Sequence, residues 1–123
     1  MASQILSNHL APGGGKVVVL YKPGSTSVVN LALSGFAATG ETVSEVAISR
    51  IFYTGSGQMK IARNTTSVFI TSDADVSFDF DFKAAGCLLS ANSDQAVNVT
   101  FADANSTAII EFQKTSNYST TTY

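Results

Sequence analysis

The chain contains no tryptophan, one histidine (His9), one cysteine (Cys87) and two prolines in 123 residues, and only 13% of its residues are charged. Each scarcity excludes something. With Cys87 alone no intrachain disulfide can form, which fits folding in a reducing cytosol. A nucleophilic role for Cys87 needs a polarising partner, and His9 is far away in sequence, so the thiol reads as a small buried apolar group. The same isolation argues against His9 as a metal ligand. A sugar-cleaving groove is usually lined with tryptophan, and the chain has none, so a catalytic carboxylate pair is not expected. Seven Lys and Arg against nine Asp and Glu make a poor match for nucleic acid, whose affinity rests on many cationic contacts to phosphate. No run approaches the roughly 18 apolar residues of a membrane span. Met1 to Pro12 has neither a basic start nor a sustained apolar stretch, so no secretory signal is expected.

What is present is 45% hydrophobic residues in a chain rich in Ser and Thr. So few charges leave solubility to the hydroxyl side chains and to burial against other subunits. The length predicts one domain, burying about two thirds of its extended surface without a metal or disulfide staple. Residues 1–15 read as a flexible N-terminal arm with scattered anchors Ile5, Leu6 and Leu10, closed by Pro12 and a glycine triplet that permits a hinge. Residues 16–114 read as about eight short strands with turn signals roughly every ten residues. The strands are 16–22, 28–34, 43–53, 58–63, 67–71, 75–82, 96–101 and 108–114. Gly55-Ser56-Gly57 predicts a hairpin between the third and fourth, and Asn64-Thr65-Thr66 one between the fourth and fifth. The long third strand alternates Val46, Ile48, Arg50 and Phe52 against Ala47, Ser49, Ile51 and Tyr53, and is therefore apolar on both faces. One face suits this domain's core and the other a neighbouring subunit. The stretch around Cys87-Leu88-Leu89 reads as a loop or short helical turn, and residues 115–123 as a polar C-terminal tail. The pattern is all-β, a two-layer antiparallel sandwich of jelly-roll type.

The most site-like feature is the acidic stripe Asp73, Asp75, Asp79 and Asp81, outward on a strand whose Val76, Phe78, Phe80 and Phe82 point inward. Calcium needs six to eight oxygens within about 2.5 Å, whereas alternate residues on one strand lie about 7 Å apart. A solvated face is the leading reading, paired with Lys60, Arg63 or Lys83 across the sheet; an acidic docking patch is the alternative. Gly13-Gly14-Gly15-Lys16 lacks the spacing, strand and helix of a phosphate loop. The sequons at Asn64, Asn98, Asn105 and Asn117 follow from abundant Ser and Thr. No catalytic residue, cofactor or metal is expected.

Three segments carry a resemblance: a glycine-rich start leading into the Val-rich Gly13–Leu20, the strand-turn-strand Ser49–Asn64, and Ala108-Ile109-Ile110-Glu111-Phe112-Gln113-Lys114. Over residues 13–114 the chain resembles small virion structural proteins of tailed, marine-type bacteriophages. The resemblance implies a non-enzymatic capsid decoration or cement protein, made in the host cytoplasm and carried in the virion. Its partners would be the major capsid protein and neighbouring copies of itself, as a homo-oligomer or in many copies. The contacts expected are Ile5, Leu6, Leu10, Arg50 and Tyr53. Two other roles remain open: a glycan- or host-surface-binding sandwich of a phage fibre, and a tail or neck adaptor.

Overall fold

A computed structural model describes residues 3–8, 15–22, 28–37, 40–55, 57–71, 76–86, 88–89, 95–102 and 106–118. The strands in it are β1 (Ser3–Asn8), β2 (Lys16–Tyr21), β3 (Val28–Leu31), β4 (Glu41–Gly55), β5 (Met59–Arg63), β6 (Thr66–Ile70), β7 (Val76–Asp81), β8 (Val97–Phe101) and β9 (Thr107–Tyr118). They build two antiparallel sheets, a five-stranded one ordered β1-β2-β9-β4-β7 and a four-stranded one ordered β3-β8-β5-β6. The all-β sandwich expected from the alternating pattern is what forms.

From β2 onward the pairing is nested. β2 pairs β9, β3 pairs β8, β4 pairs β7 and β5 pairs β6, as though one long hairpin had been rolled over the core. Its tip is the turn after Arg63, where Asn64 takes φ 57, a left-handed conformation that asparagine tolerates better than most residues. The hairpin expected at Gly55-Ser56-Gly57 is different in kind: β4 and β5 do not pair there, because the chain crosses from one sheet to the other. Gly55 serves a close approach, since a Cβ at that position would sit 2.7 Å from Ser106 Cα. The strand expected to run to Ser34 ends at Leu31 and continues into a 3-10 turn, Leu33–Phe36, which delivers Phe36 to Phe112 with ring centroids 4.7 Å apart.

The core follows from register. Across β2, β9 and β4 the inward rows are Tyr21–Ala108–Tyr53, Val19–Ile110–Ile51 and Val17–Phe112–Ile48. Facing them from the other sheet are Val29, Met59, Ile61, Val97, Val99 and Phe101, all buried. Burying one such side chain is worth about 1.5–3 kcal/mol, so these rows dominate the fold's stability. Two bulges make the β4 rows possible. Ile48 lies opposite Phe112 and Arg50 opposite Glu111, so Ser49 is an extra residue; Ser44 plays the same part between Val43 and Glu45. Each insertion reverses the alternation. Val46, Ile48, Ile51 and Tyr53 therefore share the core side, and Arg50 and Phe52 share the outer one. Strict alternation had put Ile48 with Arg50 and Phe52, and the bulge at Ser49 is why that grouping fails.

Both ends of the predicted domain extend further than expected. Residues 3–8, assigned to a flexible arm, are the edge strand β1 against β2. Residues 115–118, assigned to the tail, continue β9, with Tyr118 opposite Glu41. Leu89 forms an isolated bridge with Ile48, prolonging the sheet beyond the turn that follows β7. Two buried cations tie one end of the sandwich. Arg63 Nη1 donates to the Val46 carbonyl on the opposite sheet while Nε and Nη2 donate to Gln95 O, and Lys114 Nζ donates to Asn8 Oδ1. Arg63 is thus a cross-sheet tie.

Candidate functional site: the outer face of the five-stranded sheet

The face of the five-stranded sheet turned away from the core carries its own ordered pattern. Register places Leu20, Ile109, Phe52 and Asp79 in one row across β2, β9, β4 and β7. The next row is Val18, Glu111, Arg50 and Asp81. An apolar band therefore crosses the central strands and is flanked by charge. Phe52 is 37% exposed although its neighbours on the same strand, Ile51 and Tyr53, are fully buried. Val18, Arg50, Phe52, Asp79, Ile109 and Glu111 line a shallow groove of about 270 Å³.

The charges around the band are held in place. Arg50 clasps Asp79 in two parallel hydrogen bonds, Nε to Oδ1 at 2.8 Å and Nη2 to Oδ2 at 2.6 Å, the fork geometry that suits guanidinium and carboxylate. Those bonds hold the Asp79 carboxyl below its ordinary range and raise the Arg50 guanidinium, the added attraction of charge acting in the same direction. A carboxylate held deprotonated in this way is poorly placed to act as a general acid near neutrality. Glu111 is fixed from two sides. Ser49 Oγ donates to Glu111 Oε1 at 2.9 Å and to the Glu111 carbonyl at 3.0 Å, and Lys16 Nζ lies 3.7 Å from Oε1. The bulge residue that re-phases β4 thus also orients a rim carboxylate. An apolar centre inside a polar rim with preset charges is the anatomy of a recognition surface.

The expected contact residues fare unequally. Arg50 lies on this face. Ile5 and Leu6 lie on β1, 39% and 47% exposed. Leu10 lies outside the described residues. Tyr53 is corrected: it is fully buried, its hydroxyl donating to Gly57 O and Ser106 Oγ, both at 3.1 Å, because the bulge at Ser49 turns it inward. The residues that alternation missed are Phe52, grouped with Val46 and Ile48 and not named as a contact, and Val18, Leu20 and Ile109, whose outward phase needs the strand pairing. Of the acidic stripe, Asp79 and Asp81 are exposed on β7, and Asp73 and Asp75 lie outside the described residues, as does Cys87. Asp81 Oδ1 accepts from the Ala84 amide and so braces the turn after β7. No cluster of three or more His, Cys, Asp or Glu suited to a metal ion occurs among the described residues. A second shallow depression, about 320 Å³, lies beside Lys83, Gly86, Leu88 and Gln113.

No protein-family model matches the chain, and comparison with curated proteins finds no match.

Proposed function

We propose that this protein is a non-enzymatic structural component of a virion, a capsid decoration or cement protein seated on the major capsid protein beside further copies of itself. One observation carries the reading: Val18, Leu20, Ile109 and Phe52 form an apolar band on the solvent side of a sheet whose other side already supplies the core. A monomer gains nothing by keeping that band in water, whereas a docked subunit removes it from water at about 25 cal/mol per Å². Held rim charges then set the register of docking. Repetition over a capsid multiplies a modest contact into firm attachment. The nested pairing of β2 with β9, β3 with β8, β4 with β7 and β5 with β6 supports a jelly roll, an architecture used in virion shells. The resemblance of residues 13–114 to small virion proteins supports the same assignment.

The test adds purified chain to particles of its phage grown without it. Hundreds of copies per particle by gel densitometry and cryo-EM, lost in Phe52→Asp at unchanged melting temperature, are the expected result. A handful of copies points to a tail or neck adaptor and rejects decoration. The exposed Phe52 ring beside Arg50, Asp79 and Glu111 also has the parts of a sugar platform. Glycan-array binding that Phe52→Asp removes would transfer the protein to a host-surface-binding fibre.

A further inference from the structure

Three of the large hydrophobic side chains exposed among the described residues lie on the two margins of the five-stranded sheet. Ile5 (39%) and Leu6 (47%) are on β1, and Phe80 (47%) is on β7. Neither strand has a partner along its outer edge among the described residues. Edge strands are ordinarily guarded by charge or proline, because free N–H and C=O groups are a template for another chain. β1, Ser-Gln-Ile-Leu-Ser-Asn, carries neither. β7 carries Asp79 and Asp81.

The two margins complement each other. Ile5 is in register with the buried Val19, and Phe80 with the buried Ile51, so both apolar groups sit on the core side of the sheet. On the outer side β7 presents Ser77, Asp79 and Asp81. The charges do not oppose such a match: β7 is acidic, while β1 carries no charged residue. Two β7 edges brought together would set Asp against Asp. β1 against β7 sets apolar beside apolar and keeps the acidic edges apart.

We infer that the β1 edge of one copy adds to the β7 edge of the next, continuing the five-stranded sheet from subunit to subunit. Four antiparallel steps separate β1 from β7, so the two strands run the same way. Copies related by rotation about an axis along the strands therefore join through a parallel pair. The contact is heterologous, and it closes into a ring or runs on as a filament according to the rotation per copy. The extra residue between Ile5 and Ser7 bends β1 and steers that rotation. The inference concerns contacts between copies, and it holds whether or not the Phe52 face binds a capsid.

The test needs the purified full chain alone, by light scattering across a concentration series and by native mass spectrometry. Wild type should show species larger than a dimer. Leu6→Lys, at an exposed bulge position, and Phe80→Lys should each be monomeric. An equimolar mixture of the two should give a dimer and nothing larger, because one intact β1 edge and one intact β7 edge remain. Where Phe80→Lys lowers the melting temperature through its contact with Phe82, Ser77→Lys at an exposed position of the same strand replaces it. A monomeric wild type overturns the inference, as does association unchanged by the substitutions. A dimer formed by either single variant alone indicates a two-fold interface and overturns it too.

Discussion

Tyr21 and Tyr53 flank Ala108 in one buried row, yet their hydroxyl groups have opposite circumstances. Tyr53 Oη donates at 3.1 Å to Gly57 O and Ser106 Oγ, whereas the buried Tyr21 hydroxyl has no hydrogen-bond partner among the described residues. A buried polar group left unmade costs about 1–3 kcal/mol, and a satisfied one contributes about 1 kcal/mol. Tyr53→Phe should therefore lower unfolding free energy by about 1 kcal/mol in urea, and Tyr21→Phe should raise it by a similar amount. Burial also pushes the Tyr21 phenol well above its ordinary value near 10. A raised folded value means that stability is present in full below about pH 10 and is lost as pH climbs toward the folded value, by up to about 1.4 kcal/mol per pH unit. Wild type should thus unfold earlier than Tyr21→Phe in an alkaline titration, and coincident curves would show the phenol to be free to ionise. Both tyrosines were visible as apolar-sided strand residues. Which one finds a partner depends on Gly57 and Ser106, which other segments bring to Tyr53.

At the scale of the element, β4 is the strand whose sequence and structure diverge most. Its alternation is strict on paper and reverses at Ser44 and Ser49 in the fold. Ser49 has two separable roles, a hydroxyl bonded to Glu111 and a backbone position that shifts the phase of all that follows. Ser49→Ala removes only the hydroxyl and should cost about 1–2 kcal/mol. Deleting Ser49 should leave a cooperative fold, because Ile48, Arg50 and Ile51 stay opposite Phe112, Glu111 and Ile110 without the extra residue, whereas inserting one alanine between Arg50 and Ile51 should carry Ile51 and Tyr53 to the outer face and abolish cooperative unfolding. Circular dichroism melts of these variants check this, and a deletion that unfolds the protein while the insertion melts like wild type would disprove the bulge. Nothing local announces such a bulge. It depends on β9 offering one residue, Glu111, where β4 offers two. By contrast, β2, β8 and the start of β9 were legible as strands because β-branched residues alternate or run together there.

For the whole molecule, the decisive feature is that distant segments complete one another. Thr115–Tyr118 are polar and carry no apolar pattern, yet they lie in β9 opposite Glu41–Glu45. Backbone N–H and C=O groups do not care about side-chain polarity, so a polar segment orders once a strand offers it a ladder. Truncation after Lys114 should expose the amides of 41–45 to rapid hydrogen exchange and cost about 2 kcal/mol, leaving 46–53 protected. Unchanged protection at 41–45 would refute that pairing. The same non-local logic makes the outer face a surface at all. Phe52, Ile109, Leu20 and Val18 come from three strands and become neighbours only through the order β2-β9-β4.

What the amino-acid sequence determined by itself is the material: short β-branched and aromatic runs, polar turns between them, little charge, and hence two packed sheets. Period-two patterning and turn chemistry are local properties, and local properties can be read from neighbours along the chain. What only the tertiary structure decided is which strands pair, where β4 gains a residue, and therefore which of its side chains are core and which are surface. Those choices are made between segments as far apart as Ser49 and Glu111, where one added residue exchanges the two faces of everything beyond it.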